Sequence, residues 1–279
     1  MKFSGAVTAI TGASSGVGLA AAELAAARGA HVALIARDRG RLEVAEEAVR
    51  SARRDAGQRV AAYSCDVSDR GQVSETFSAI EADLGPVDIL LNCAGYCTPG
   101  RFIEQSAEEL VGQIETNLCG TLYPTRAVVP GMVERGRGHV ANVSSMGGFI
   151  GVYGYAGYSP AKFGVMGLSE VLRCELKPHG VGVTVLCPPN IDTPGYAREL
   201  ELEPPETAAI NGSVKTASPR FIARVLLDAV ERGRYLVVPG FVNGALYRLK
   251  GVLPELFFAV FDRDVAAVRK RGDARDQDS

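Results

Sequence analysis

Thr11-Gly12-Ala13-Ser14-Ser15-Gly16-Val17-Gly18 is the stretch on which the reading of this chain turns. It closes Ala6 to Thr11, an apolar run suited to a strand buried on both faces. It opens Val17 to Arg28, rich in alanine and leucine at helical spacing. Gly12 permits a tight turn, Gly16 lets a backbone approach a pyrophosphate, and Gly18 lets helix and strand pack closely. The free amides of the helix start, with Ser14 and Ser15 beside them, then form a phosphate site. A glycine pattern alone says little, but one set between a strand and a helix is a specific indication of a dinucleotide.

Outward from this loop the same alternation continues. Strands are predicted at 31–36, 60–65, 87–92, 139–144, 182–187 and 235–238. Helices are predicted at 39–54, 71–84, 108–133, 158–178 and 219–232, with Pro124 and Pro130 expected to kink or shorten the third. Strict alternation with short connections predicts an α/β, doubly wound Rossmann fold with a mainly parallel seven-stranded sheet and helices on both faces. Residues 1–239 form that domain. Pro188 to Thr216, long and proline-containing, reads as a substrate lid. Residues 240–279 form an amphipathic extension whose end, Gly272 to Ser279, is expected to be disordered. Its apolar run Val252 to Phe261 is too short to span a bilayer, so docking on the domain, subunit contact and peripheral membrane contact all remain open.

Composition narrows the function classes. The chain has 279 residues, 47% hydrophobic and 22% charged, with a formal net charge of -2, so no field draws it to nucleic acid. Cys65, Cys93, Cys97, Cys119, Cys174 and Cys187 form no CxxC pair, and no signal segment opens the chain. A cytoplasmic protein with free thiols is expected. His31, His139 and His179 lack ligand spacing, so no metal is expected.

The second strand ends Ala36-Arg37-Asp38 where a free ribose 2′-hydroxyl would call for a carboxylate. Arg37, with Arg41 four residues on, instead suits a 2′-phosphate and favours NADPH over NADH; Asp38 is assigned to solvent or to capping the next helix. Asp66, beside Val67, is suited to the adenine amino group or to a helix cap. Asn92-Cys93-Ala94-Gly95 lays small residues against the cofactor, and Asn92 can also pin neighbouring strands. Pro188, Ile191 and Thr193 are placed on the cofactor's nicotinamide side.

Tyr158 and Lys162 share one face of a predicted helix. Ser145 lies thirteen residues before Tyr158, just past a strand, with Ser144 as the rival serine; Asn117 lies in the long helix before that. Reducing a ketone builds charge on oxygen, which a tyrosine can quench with a proton and a serine can hold with a hydrogen bond. A lysine ammonium beside the phenol is expected to lower its pKa from about 10.

These residues together resemble the short-chain dehydrogenase/reductase family over about residues 5–239. The resemblance implies catalysis by Asn117, Ser145, Tyr158 and Lys162, with Asn117 holding a water in a relay through Lys162 to Tyr158. It also implies a homodimer or homotetramer packed through the helices around Asn117 and Tyr158. Cys93 stands where the family often has asparagine, and Pro189 where many members have glycine.

Three segments, 85–95, Tyr123 to Val128 and Pro188 to Tyr196, are similar to 3-ketodihydrosphingosine reductases, which implies a long-chain lipid ketone reduced with NADPH. The residue chemistry leaves other substrates open, among them 3-oxoacyl thioesters, steroids and small secondary alcohols, and also a non-enzymatic NADP-binding sensor. Phe149, Ile150, Val152, Tyr153 and Tyr155 line an acyl slot or pack the core. Glu199, Glu201, Glu203 and Glu206 make the lid acidic, which suits a substrate ammonium or simply a solvated segment.

Overall fold

In a computed structural model of the chain, residues 1–212 and 215–277 are described, with side chains described as far as residue 268 except at 257 and 264. Seven strands form one parallel sheet: β1 (Val7–Thr11), β2 (His31–Ala36), β3 (Val60–Ser64), β4 (Ile89–Asn92), β5 (Gly138–Val143), β6 (Val181–Leu186) and β7 (Leu236–Val237). Their order is β3-β2-β1-β4-β5-β6-β7 and every pairing is parallel. The order reverses between β1 and β4, so a crevice opens at the carboxyl ends of those two strands, where doubly wound folds bind ligands.

Both sheet faces are covered. On one face α1 (Gly16–Ala27), α2 (Arg39–Ser51) and α9 (Pro219–Glu231) pack on Ile10, Leu34, Leu91 and Leu186. On the other, α3 (Arg70–Leu84), α5 (Gly120–Glu134) and α6 (Tyr158–Leu176) pack on Ala9, Ile35, Leu90 and Val140. The helix starts follow the sequence: Asp38 caps α2, Asp69 caps α3, and Ser106 with Glu109 forms a reciprocal capping box on α4 (Ala107–Ile114).

The long helix expected over 108–133 is broken, and not at its prolines. Between α4 and α5 lies a π-helical turn, Glu115–Cys119, while Pro124 and Pro130 remain inside α5. Side chains take over the backbone's bonds at the break. Asn117 Nδ2 donates to the Gln113 carbonyl at 2.8 Å, and Thr121 and Thr125 hydroxyls donate to the carbonyls four residues back.

Two departures follow in the second half. The segment 188–216 contains α7 (Pro194–Leu202) and α8 (Pro205–Asn211). Each carries proline at its start, and Thr193 caps α7 by accepting from Tyr196 N at 3.1 Å. At the segment's base, Asp192 N donates to the Ala217 carbonyl at 3.0 Å and Ala217 N to the Asn190 carbonyl at 2.8 Å. Beyond residue 240, α10 (Phe241–Val252) and α11 (Pro254–Gln277) follow. The Tyr247 ring meets Phe149 edge-on at 5.0 Å, and Phe261 joins the apolar cluster around Phe149 and Ile150. The backbone of 272–277, expected to be disordered, continues α11; its sequence, Gly-Asp-Ala-Arg-Asp-Gln, is poor in helix formers and extends a helix already nucleated upstream. Residues 278–279 lie outside the described residues. Among the described residues no helix is long and apolar enough to cross a membrane.

Candidate active site

The cleft at the β1–β4 crossover is lined from end to end by residues of the loop after β1, the end of β2, the β4 terminus, the π turn, β5 and the lid. Gly12 (φ 67°) and Gly16 (φ 55°) occupy left-handed backbone that side chains rarely adopt. A Cβ on Gly12 would lie 2.8 Å from the Ala94 backbone, and one on Gly16 would lie 3.2 Å from Thr193 Cγ2. The loop is therefore held against the end of β4 on one side and the lid on the other. Thr11 Oγ1 completes that join by accepting from Cys93 N at 3.1 Å and Ala94 N at 3.2 Å. Sequence reading passed over Thr11, because nothing in its local pattern sets it apart from a strand residue.

α1 differs from its neighbours at its start. Ser15 is extended and makes no side-chain cap, and no acidic residue occupies the first turn. Gly16, Val17 and Gly18 line the cleft, and no N-cap side chain takes up the first amides of α1 as Asp38 and Asp69 do for α2 and α3. That donor set fits a pyrophosphate. Arg37 and Arg41 line the same end. Arg37 stands 3.9 Å from Asp66, and Arg41 stands 3.4 Å from Asp38, whose other role is the α2 cap. Both guanidiniums are more than half exposed and loosely held, so they fit a 2′-phosphate.

Ser14, Ser15, Val67, Ala94, Gly95, Pro188, Ile191 and Thr193 all line the cleft. Two of the expected cofactor contacts do not. Asn92 is 2% exposed, and its Nδ2 donates to Asn142 Oδ1 at 2.9 Å and Thr125 Oγ1 at 3.0 Å. It takes the other role its sequence position allowed, a pin joining β4 to β5 and α5. Asp66 stays at the rim: Ser68 N and Ser68 Oγ donate to its Oδ1 at 3.0 and 2.6 Å, and Asp69, not Asp66, caps α3. The cleft also takes in Tyr155 and Glu199, weighed in the sequence for an acyl slot and a substrate ammonium, and Asn190 and Tyr196, which the sequence pattern did not single out as lining residues.

At the other end Asn117, Ser145, Tyr158 and Lys162 converge. Ser145 Oγ accepts from Gly147 N at 3.0 Å and stands close enough to the Tyr158 phenol to ease its ionisation. The rival Ser144 donates instead to the Lys162 carbonyl at 3.0 Å, a bond within the fold. Lys162 Nζ donates to the Val143 carbonyl at 3.1 Å and lies 5.5 Å from the Tyr158 ring centre. Asn117 donates to the carbonyls of Tyr96 and Gln113, both at 2.8 Å, which leaves its Oδ1 buried without a partner. A Cβ on Gly95 would collide with that Oδ1 and lie 3.2 Å from Lys162 Nζ, so the two groups crowd one small space.

The electrostatics differ from the sequence expectation. Burial pushes the Tyr158 phenol up, the charges of Glu199 and Cys97 add to this, and Ser145 opposes it. Lys162 is not what governs that phenol. Lys162 is itself pushed down to about 8, chiefly by burial. Tyr158 is thus held protonated, which is the state a proton donor requires, beside a cation that can stabilise the phenolate once the proton has left. Cys93, at a position often occupied by asparagine, is pushed up to about 12 by burial and is an inert thiol.

Comparisons with known proteins place this geometry. The family described as short chain dehydrogenase matches residues 6–203. A 3-dehydrosphinganine reductase of Danio rerio is 39% identical over 236 residues, covering 84% of this chain and 71% of that protein. A 3-ketodihydrosphingosine reductase of Dictyostelium discoideum is 40% identical over 204 residues, covering 72% of this chain and 61% of that protein. Among solved structures, a short-chain dehydrogenase/reductase from Burkholderia phymatum in complex with NAD superposes with a TM-score of 0.81 at 27% identity, over 92% of this chain and 96% of that one. A short-chain dehydrogenase from Sphingobium yanoikuyae in complex with NADPH gives 0.77 at 28% identity, over 90% of this chain and 94% of that one.

Proposed function

The chain belongs to the short-chain dehydrogenase family, and on that premise we propose that it uses NADPH to reduce the 3-keto group of a sphingoid base, 3-ketodihydrosphingosine, to the alcohol. The observation that carries the reading is the meeting of Ser145, Tyr158, Lys162 and Asn117 in the cleft that also holds the uncapped start of α1. The similarity to sphinganine reductases over most of the chain supports the substrate. The paired Arg37 and Arg41 support the phosphorylated cofactor.

Bound NADPH, held by the start of α1 and by Arg37 and Arg41, would supply the hydride for the carbonyl carbon. Tyr158 donates its hydroxyl proton to the carbonyl oxygen, and Ser145 Oγ holds that oxygen as charge gathers on it. The Lys162 ammonium stabilises the phenolate that remains, and its own depressed pKa lets it return a proton near neutral pH. Asn117 Oδ1, an acceptor with no protein partner, is suited to fix a water on the path from Lys162 to solvent.

The outer faces of α4 to α6 expose Val111, Leu122, Phe163 and Val171, which supports pairing of chains through these helices. Phe241, Val242, Val252, Leu253 and Phe258 are exposed on the last two helices and support peripheral contact with a membrane from the cytoplasm. NADPH oxidation with 3-ketodihydrosphingosine, an acetoacetyl thioester and a steroid ketone tests the substrate. Turnover is expected with the sphingoid ketone foremost; turnover confined to either of the others refutes it. Removal of residues 252–279 is expected to reduce sedimentation with vesicles, and unchanged sedimentation rejects the membrane role.

A further inference from the structure

The four lid glutamates have different surroundings. Glu201 is exposed. Glu206 is buried and paired with Arg101 at 3.2 Å. Glu203 accepts from Asn211 Nδ2 at 2.6 Å and from the Tyr155 hydroxyl at 3.4 Å. Glu199 faces the cleft with Tyr155, Tyr158, Lys162 and Tyr196, and among the described residues its carboxyl has no hydrogen bond or ion pair. Lys162, the nearby cation, donates to the Val143 carbonyl and reaches Glu199 only through its charge, which favours the ionised carboxyl but is outweighed by burial and Glu203.

A bare carboxylate there opposes the chemistry. Burial and the Glu203 charge push Glu199 up to about 7, and its own charge makes the Tyr158 phenol harder to ionise. Negative charge must also gather on the substrate oxygen next to Tyr158, so a second anion close by raises the barrier. A cation on the carbon beside the carbonyl reverses both effects, because it pairs with Glu199 and draws charge toward the reacting oxygen. We propose that Glu199 determines specificity by accepting the ammonium of an α-amino ketone, so that the site selects a sphingoid ketone over ketones without that amino group. The proposal rests on the reductase reading above and refines it. Glu203, fixed by Asn211 and Tyr155, holds a second negative charge beside the same point.

The test uses the full chain with saturating NADPH. Initial rates are compared for 3-ketodihydrosphingosine and for the same ketone lacking its amino group, in the wild type, Glu199→Gln and the exposed control Glu201→Gln. The wild type is expected to prefer the amino ketone by at least about tenfold in kcat/KM, the scale of a charge-assisted hydrogen bond. Glu199→Gln is expected to erase that preference, mainly through the KM of the amino ketone, while Glu201→Gln keeps it. Glu199→Asp, with a withdrawn carboxylate, is expected to raise the same KM and retain part of the preference, which covers a glutamine variant that fails to fold. A wild type that reduces both ketones equally well, or a Glu199→Gln protein that still prefers the amino ketone, overturns the proposal and leaves the reductase reading standing. A wild type that reduces neither, yet reduces another ketone, overturns both.

Discussion

Replacing Gly95 with alanine tests how tightly the proton-handling end of the cleft is built. The new methyl would collide with Asn117 Oδ1 and sit 3.2 Å from Lys162 Nζ. Asn117 yields only by giving up two 2.8 Å bonds, to the carbonyls of Tyr96 and Gln113. At about 1 kcal/mol for each bond, that route costs about 2 kcal/mol. Leaving Asn117 in place and straining the backbone costs about 1–3 kcal/mol, so both routes agree. In a chain of this size the loss lowers the melting midpoint by about 3–4 °C. An ångström of displacement at Asn117 or Lys162 is worth about a hundredfold in turnover. Thermal melts and steady-state NADPH oxidation measure the two effects. Gly244→Ala is the control, because nothing lies within 4 Å of a Cβ there and the residue sits inside α10. Loss of an interior helical glycine is expected to raise stability by about 0.5–1 kcal/mol with activity kept. A Gly95→Ala protein that melts and turns over like the wild type refutes the claim that Asn117 and Lys162 share a space closed by that glycine.

Tyr158→Phe is expected to lower kcat by about 100- to 10,000-fold while still binding NADPH, measured by initial rates and by cofactor fluorescence; full turnover would end the assignment of Tyr158 as proton donor. Arg37→Ala is expected to raise the KM for NADPH by roughly tenfold and leave that for NADH nearly unchanged, and an equal effect on both cofactors would remove the 2′-phosphate contact. His139 is 2% exposed, bonds to Thr184 at 2.8 Å, and burial pushes its pKa down to about 4. Below about pH 6.5 the unfolded chain therefore binds a proton that the folded chain refuses, and stability falls as pH drops toward about 4. The expected loss by pH 5 is roughly 2 kcal/mol. His139→Gln should show a shallower decline in denaturant titrations at pH 7 and pH 5, and an identical slope would mean that His139 is not the acid-sensitive group.

The parts legible in the sequence are those whose cause is local. The turn from Thr11 to Gly18 needs glycines wherever positive φ or close approach occurs, so its letters state its shape. Tyr158 and Lys162 share a helix face by spacing alone, and Ser145 follows a strand that ends where the sheet edge must be. What was missed depends on partners distant in the chain. Asn92 is turned from the cleft by Thr125 and Asn142, 33 and 50 residues away. The widened turn at Asn117 arises because side chains compete with the helix ladder, while Pro124 and Pro130 drew attention to the wrong place. The lid helices were legible in principle: Thr193 before Pro194 is a cap before a first-turn proline, but the long, proline-containing stretch was read only as a substrate lid, with no helix assigned to it. The acidification of Tyr158 by Lys162 was argued from charge alone, and burial outweighs it.

The two strands of chain at the foot of the lid lie side by side, joined where Ile191 bridges Ala217. What rises between them is rooted there and braced again by Glu206 on Arg101 and by the Thr207 hydroxyl, which donates to the Tyr153 carbonyl. Exchange of the stretch that carries α7 and α8 is expected to leave the strand registers in place, provided Thr193, which backs Gly16 of the loop after β1, is kept. Diversification of this scaffold toward new ketones then calls for little change in its nucleotide half beyond keeping Thr193, and grafted lids provide a direct way to ask how much selectivity travels with α7 and α8.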